Sequence, residues 1–323
     1  MIRAQTPLIG DGSVYASFTW LLRLQADART LHLAEGGFVR TPSSGPHRTR
    51  QRGRGMSFAE VRPYQPGDDI RSIDWRVTAR RQRPHTKLYE EERERPVLLV
   101  CEQSPALFFA STGAYKSVRC AEMCALLAWQ AHLRGDRVGG LLFGEGPVDA
   151  FRPTRQRKAL MRLLHRLSER NQALKPAPGV FSVALDEALE ETLRIARPGT
   201  EVVIISDWWA LSERTESLLG RLAAHCDVLL VRCLDPLETA LPDAGRFLVR
   251  DDGRLFGFQA RDRALRSAYE AQRNLQDQRL LRVQRKARAR LIDMRTGDTA
   301  LSALRKLQRG LTALNERSGG DRA

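Results

Sequence analysis

Two short polar clusters follow the two most apolar runs of the chain, and chemistry would be placed there first. Residues 97–100 read Val-Leu-Leu-Val and lead into Glu102-Gln103-Ser104-Pro105-Ala106. Residues 202–205 read Val-Val-Ile-Ile and lead into Ser206-Asp207. Carboxylates and hydroxyls in such positions can ligate a hard cation, cap a helix or face a partner. A third cluster lies upstream. Pro66 and Gly67 signal a turn, Asp68 and Asp69 follow it, and Asp74, Trp75 and Arg76 continue a mixture of apolar and charged residues. Three aspartates so close together could suggest acid–base catalysis. Arg62, Arg71, Arg76 and Arg80 lie among them, however, and ionised carboxylates paired with guanidinium groups make poor general acids. A structural ion-pair network is the expectation.

Other catalytic patterns are missing from the sequence. It contains no G-x-x-x-x-G-K-[ST], no G-x-S-x-G and no H-E-x-x-H. His32, His47, His85, His132, His165 and His225 are scattered singly. The chain is therefore expected not to be an enzyme.

The elements that must position these residues alternate along the chain. Apolar runs at 97–100, 138–143, 201–207, 228–233 and 291–294 read as buried strands, with 148–151 as a short edge strand. Amphipathic stretches at 114–133, 154–168, 181–196 and 212–224 read as helices between them, and 300–315 as a closing helix. The expected fold class is α/β, a doubly wound, mostly parallel sheet flanked by helices. In such a sheet ligands bind beyond the carboxyl ends of the strands, where the strand order reverses, and two of the polar clusters fall at strand ends. Asp252-Gly253 between the runs 247–249 and 255–258 signals a β-hairpin insertion. The expected organisation is an N-terminal amphipathic helix region (1–35), a basic flexible linker (36–55), a polar signature segment packed on the core (56–95), the α/β domain (96–316) and a disordered tail (317–323). The helix at 17–33 carries an apolar stripe of Trp20, Leu21, Leu24 and Leu31. That stripe suits packing on the main domain, with contact at a membrane surface as the alternative.

The signature residues carry more than composition. Phe58-Ala59-Glu60-Val61-Arg62, Tyr64-Gln65-Pro66-Gly67-Asp68-Asp69, residues 73–80 (Ile-Asp-Trp-Arg-Val-Thr-Ala-Arg), residues 91–96 and Gly135-Asp136-Arg137-Val138-Gly139 together resemble the bacterial domain-of-unknown-function 58 family, from about residue 54 to about residue 314. The resemblance implies a von Willebrand factor type A-like domain and a working partnership with a MoxR-type AAA+ ATPase. It also implies a metal-ion-dependent adhesion site of the form D-x-S-x-S plus a threonine and a second aspartate. Carried over by position, Glu102 stands for the first aspartate, Ser104 for the first serine, Ala106 for the second serine and Asp207 for the second aspartate. The threonine loop falls at Pro178-Gly179-Val180-Phe181, with no hydroxyl before Ser182. Two ligand positions are lost, so no cofactor is expected, and Mg²⁺ at the degenerate site is the alternative. Glu102, Ser104 and Asp207 are then expected to form a partner-facing rim, and the chain to act as an adaptor.

A second function class comes from charge. The net charge of the 323 residues is +15 and the isoelectric point is near 10.4, which favours anionic partners. The alternative function is therefore binding to nucleic acid or an anionic membrane through the linker residues 48–54 and the basic helix at 261–290. Only six of the 53 basic residues are lysine. Cys101, Cys120, Cys124, Cys226 and Cys233 form no C-x-x-C pair and suit buried free thiols in a reducing compartment. With no apolar run of membrane-spanning length and no signal-peptide pattern, the expected location is the cytoplasm, with peripheral contact at the inner membrane as the alternative.

Overall fold

From residue 95 onward, the alternation of apolar runs and amphipathic stretches closes into one sheet covered on both faces. The computed structural model describes residues 13–31, 56–65, 70, 73–91, 95–176, 184–251, 254–306 and 308. The chain divides into two compact units, Met1–Val39 together with Arg95–Ala323, and Arg40–Glu94.

The larger unit begins with α1 (Phe18–Arg29) and continues through β3 (Pro96–Gln103), α3 (Lys116–Leu133), β4 (Arg137–Gly144), β5 (Asp149–Thr154) and α4 (Arg157–Ala173). After these come α5 (Ala184–Ile195), β6 (Glu201–Ser206), α6 (Glu213–Ala223), β7 (Asp227–Leu234) and the single turn α7 (Pro236–Thr239). The hairpin strands β8 (Arg246–Asp251) and β9 (Arg254–Gln259), the long helix α8 (Arg263–Lys286) and β10 (Arg290–Arg295) follow. The sheet has six strands in the order β10-β7-β6-β3-β4-β5. All neighbours pair in parallel except the edge strand β5, which is antiparallel to β4.

Every residue of β6 is buried, as is β3 from Val97 onward, which is what strands covered on both faces require. On one face Leu99, Cys101, Val203 and Ile205 pack against α1, α3 and α4 through side chains such as Leu21, Leu126 and Leu163. On the other, Leu98, Val100, Val202 and Ile204 meet α5, α6 and α8 through Leu189, Leu219 and Leu280. The chain leaves β3 toward β4 and β5, then re-enters at β6 on the other side of β3. The strand order therefore reverses between β3 and β6, and the crevice at their carboxyl ends is where a doubly wound sheet holds its site.

The N-terminal helix belongs to this unit, so the boundary expected at residue 35 does not separate it from the α/β domain. Ser17 caps α1 by accepting from the Trp20 amide, and Leu21, Leu24 and Ala28 are buried against α3 and α4. The stripe that a membrane surface would have met is spent inside the protein. Polar side chains fix the approach. Asn171 accepts from the Ala16 amide at 2.6 Å and donates to Gln103 at 2.9 Å, Ser168 donates to the Ala16 carbonyl, and the Trp129 indole donates to the Leu21 carbonyl at 3.0 Å.

The smaller unit holds β1 (Met56–Pro63), α2 (Trp75–Arg81) and β2 (His85–Glu91). β1 and β2 pair antiparallel from Met56↔Glu91 to Pro63↔His85. The charged residues Glu90 and Glu91, ahead of the first core strand, thus end a strand. The expected β-hairpin is formed by β8 and β9, whose pairing ends at Asp251↔Arg254. Its turn residues Asp252 and Gly253 lie outside the described residues, as do the linker 36–55, the signature residues Pro66, Gly67, Asp68 and Asp69, the loop 177–183 and the tail 317–323. All five cysteines are free and buried. Among the described residues no helix is long and apolar enough to cross a membrane.

Asn171 is fully buried and serves two partners, so truncating it strands a backbone donor and a side-chain acceptor. Asn171→Ala should destabilise the protein by about 1–3 kcal/mol, measured by urea unfolding. A change within error would show that α1 is not held by this bond.

Candidate functional site

The carboxyl ends of β3, β6 and β7 each deliver one acidic side chain: Glu102, Asp207 and Asp235. β3 ends on alternating side chains, so Gln103 faces α3 and α4 while Glu102 turns the other way. The Glu102 carboxylate accepts from Ser104 at 2.6 Å and from Ser206 at 2.5 Å. Burial, followed by the charge of Asp207, pushes its pKa from the ordinary 4.5 up to about 7, although the two hydroxyls and Lys116 pull the other way. Close approach of backbone builds the neighbouring corner. Gly144 lies beside Gln103 at φ +146°, and a Cβ there would sit 2.0 Å from the Gln103 carbonyl oxygen, so only glycine fits.

Beyond β6 the chain turns sharply. Trp208 adopts a left-handed φ of +61°, a costly conformation for a bulky residue. It is held by its buried indole, which donates to the Val231 carbonyl at 2.9 Å, and by its amide, which donates to Ser206. The turn presents Asp207, whose Oδ1 accepts from the Trp209 amide at 3.0 Å. Asp207 Oδ2 accepts from Lys116 Nζ at 2.9 Å. The same ammonium donates to Glu238 Oε1 at 2.6 Å.

Lys116 is the first residue of α3 and its side chain is only 2% exposed. A cation at a helix N-terminus opposes the helix dipole, and burial also works against its charge. The two carboxylates outweigh both effects and hold the ammonium well above the ordinary lysine range. Glu238 is fixed in turn, since its Oε2 accepts from the Asp235 amide at 2.9 Å in the capping box of α7. Asp235 is buried and accepts from the Ser111 amide and hydroxyl, the Leu237 amide and Thr296. Burial opposes its charge, but these donors hold its carboxyl below the usual range. α8 steadies the opposite wall through Tyr269 and Arg273, which donate to the Leu237 and Glu238 carbonyls, each at 2.9 Å.

The structure thus brings Glu102, Ser104 and Asp207 together, but not as an open rim. Glu102 and Ser104 are 6% and 1% exposed and bond each other, because strand pairing carries Glu102 inward beside Ser206. Of the three, Asp207 is the one that reaches solvent, at 12%. Ala106 follows in a short 3₁₀ turn and offers no side-chain oxygen. A magnesium ion needs near-octahedral oxygen ligation. Here the Ser104 and Ser206 hydroxyls are turned to Glu102, and an ammonium stands between Asp207 and Glu238, so the residues present do not fit the metal. Among the described residues no group of three or more His, Cys, Asp or Glu is arranged to hold one.

Upstream, Asp74 caps α2 by accepting from the Arg76 and Val77 amides. Trp75 and Ile70 are 68% and 65% exposed, an unusual display of large apolar side chains. Lys116, Asp235 and Glu238 lie outside the polar clusters that stand out in the sequence. One signal did exist for Lys116, a rare lysine at the head of an apolar helix directly after a polar strand end.

A model of the family described as a protein of unknown function, DUF58, matches residues 60–279. The chain belongs to this family. Uncharacterized proteins of Mycobacterium bovis and Mycobacterium tuberculosis are 31% identical over 229 residues, 71% of this chain and 71% of each relative. Among solved structures, the conserved hypothetical protein BatB of Bacteroides thetaiotaomicron aligns at a TM-score of 0.41 and 13% identity, over 69% of this chain and 99% of its own. An aerotolerance-related membrane protein of Bacteroides fragilis aligns at 0.39 and 13%, over 67% of this chain and 97% of its own.

Glu102 generates a pH prediction. Its folded pKa is raised from 4.5 to about 7, so its contribution to stability is full below pH 4.5 and is lost as pH rises to 7. Glu102→Gln lacks this loss. Relative to the wild type, its unfolding free energy should rise by about 3 kcal/mol between those limits and stay level above them. Parallel stability curves for the two proteins across that window would exclude a buried proton on Glu102.

Proposed function

We propose that this chain is a non-enzymatic adaptor, built on a von Willebrand factor type A-like domain, that works with a MoxR-type AAA+ ATPase in the cytoplasm. The observation that carries the reading is the closure of the carboxyl-end site. Glu102, Asp207, Asp235 and Glu238 are each engaged by donors of this chain. The group tuned to exchange a proton near neutrality, Glu102, is buried away from any substrate, and the cluster offers no activated nucleophile, so it suits recognition better than turnover. The open edges of Asp207 and Glu238, 12% and 25% exposed, are acceptors, so the matching group on the partner is a hydrogen-bond donor. Trp75 offers a second anchor of the type that dominates protein interfaces.

The test is a native pull-down of the tagged full chain from its own cell lysate, with proteins identified by mass spectrometry. An AAA+ ATPase should be retained at moderate salt, and Trp75→Ala or Asp207→Asn should reduce its yield at least about tenfold, a loss of ~1.4 kcal/mol or more. Absence of any AAA+ ATPase from the eluate would sink the proposal.

The second reading, an anionic partner, draws on α8. Arg279, Arg282, Arg285 and Arg288 are exposed at intervals of three residues along its last turns and just beyond. If they neutralise phosphates, nucleic acid should co-purify and its affinity should fall steeply with salt. A shallow salt dependence in a filter-binding titration would exclude this role.

A further inference from the structure

We infer that Lys116 is a built-in cation: its tethered ammonium takes the place between Asp207 and Glu238 that a dissociable divalent ion would otherwise fill, making this surface independent of metal. The inference holds whether or not the partner is an ATPase.

The geometry carries it. Three separate elements meet on one nitrogen, with Asp207 from the turn after β6 at 2.9 Å, Glu238 from α7 at 2.6 Å and the lysine itself from the head of α3. Each carboxylate is aimed by a second bond that it accepts, Asp207 from the Trp209 amide and Glu238 from the Asp235 amide. Without the ammonium, two anchored carboxylates would face one point. Like charges held together destabilise each other, and hard oxygens converging on one point are what Mg²⁺ and Mn²⁺ seek. The lysine removes that opportunity. Its stem runs through protein, with the side chain 2% exposed, so an incoming ion would have to expel a buried ammonium from both partners.

A tethered cation behaves unlike a bound one. It requires no association step, so its occupancy does not depend on free ion concentration. Chelators cannot remove it. It carries one charge rather than two, so the cluster of Lys116, Asp207 and Glu238 keeps a net negative charge. An ammonium also has no vacant coordination position through which a partner's carboxylate could bridge.

The experiment uses the full-length protein and Mn²⁺ or Mg²⁺ alone as the probe. Mn²⁺ binding is followed by electron paramagnetic resonance and thermal stability is recorded with and without millimolar MgCl₂, for wild type, Lys116→Ser and Lys116→Ser/Asp207→Asn. The wild type should show no saturable Mn²⁺ uptake and an unchanged Tm. Lys116→Ser should take up one Mn²⁺ saturably and gain Tm with MgCl₂. The double variant should lose both responses. Lys116→Gln, which keeps polar contacts without the charge, replaces Lys116→Ser if the latter does not fold even with Mn²⁺ present, and is held to the same standard. Saturable Mn²⁺ uptake by the wild type that Asp207→Asn abolishes would overturn the inference. So would charge-removed variants that take up no Mn²⁺.

Discussion

The end of the sheet that could face a partner depends on one buried ammonium shared by two carboxylates. Placing a lysine at the first position of α3 is unfavourable on two counts, the helix dipole and the loss of water. Asp207 and Glu238 compensate both, and each is itself held by an amide. Removing one member of such a group leaves an uncompensated buried charge, which costs about 3–5 kcal/mol. The start of α3, the turn after β6 and the α7 turn are therefore fixed as one structure.

Around this triad the other polar groups form closed circuits rather than loose ends. Glu102 is shared by two serines, one just past the end of β3 and one at the end of β6. Asp235 gathers Ser111, Leu237 and Thr296, joining the loop after β3 to the end of β10. Gln103, facing the other way, reaches Asn171 and through it the N-terminal segment. Even the strained Trp208 is pinned at both its amide and its indole. Buried polar networks specify a unique arrangement only when their members are satisfied, and here that arrangement sets which acidic edges remain open to solvent.

The fold was legible because burial writes itself plainly. The runs at 97–100 and 202–205 are apolar without alternation, as strands covered on both faces must be, and the helices between them keep an apolar stripe. Glu102, Ser104 and Asp207 were legible as a group because they follow those runs. Their orientation was not. Whether a residue at a strand end turns outward depends on strand pairing, and the pairing of β3 with β6 joins residues about a hundred positions apart. Lys116 and Glu238 were missed for the same reason, since an ion pair between a helix start and a turn 122 residues later leaves no local pattern. The strand His85–Glu91 was obscured by its charges. A two-stranded pair need not be apolar on either side.

The tie between Ala16 and Asn171 has a consequence in time. The two residues are 155 positions apart, and Leu21 and Leu24 are buried by helices that lie between them. On a ribosome adding about 5–20 residues per second, α1 emerges roughly 8–30 s before α4 can receive it. α3, its other partner, emerges within that interval, and the stripe is fully covered only at its end. During synthesis α1 therefore stays an uncovered apolar helix until α3 and α4 have both been made.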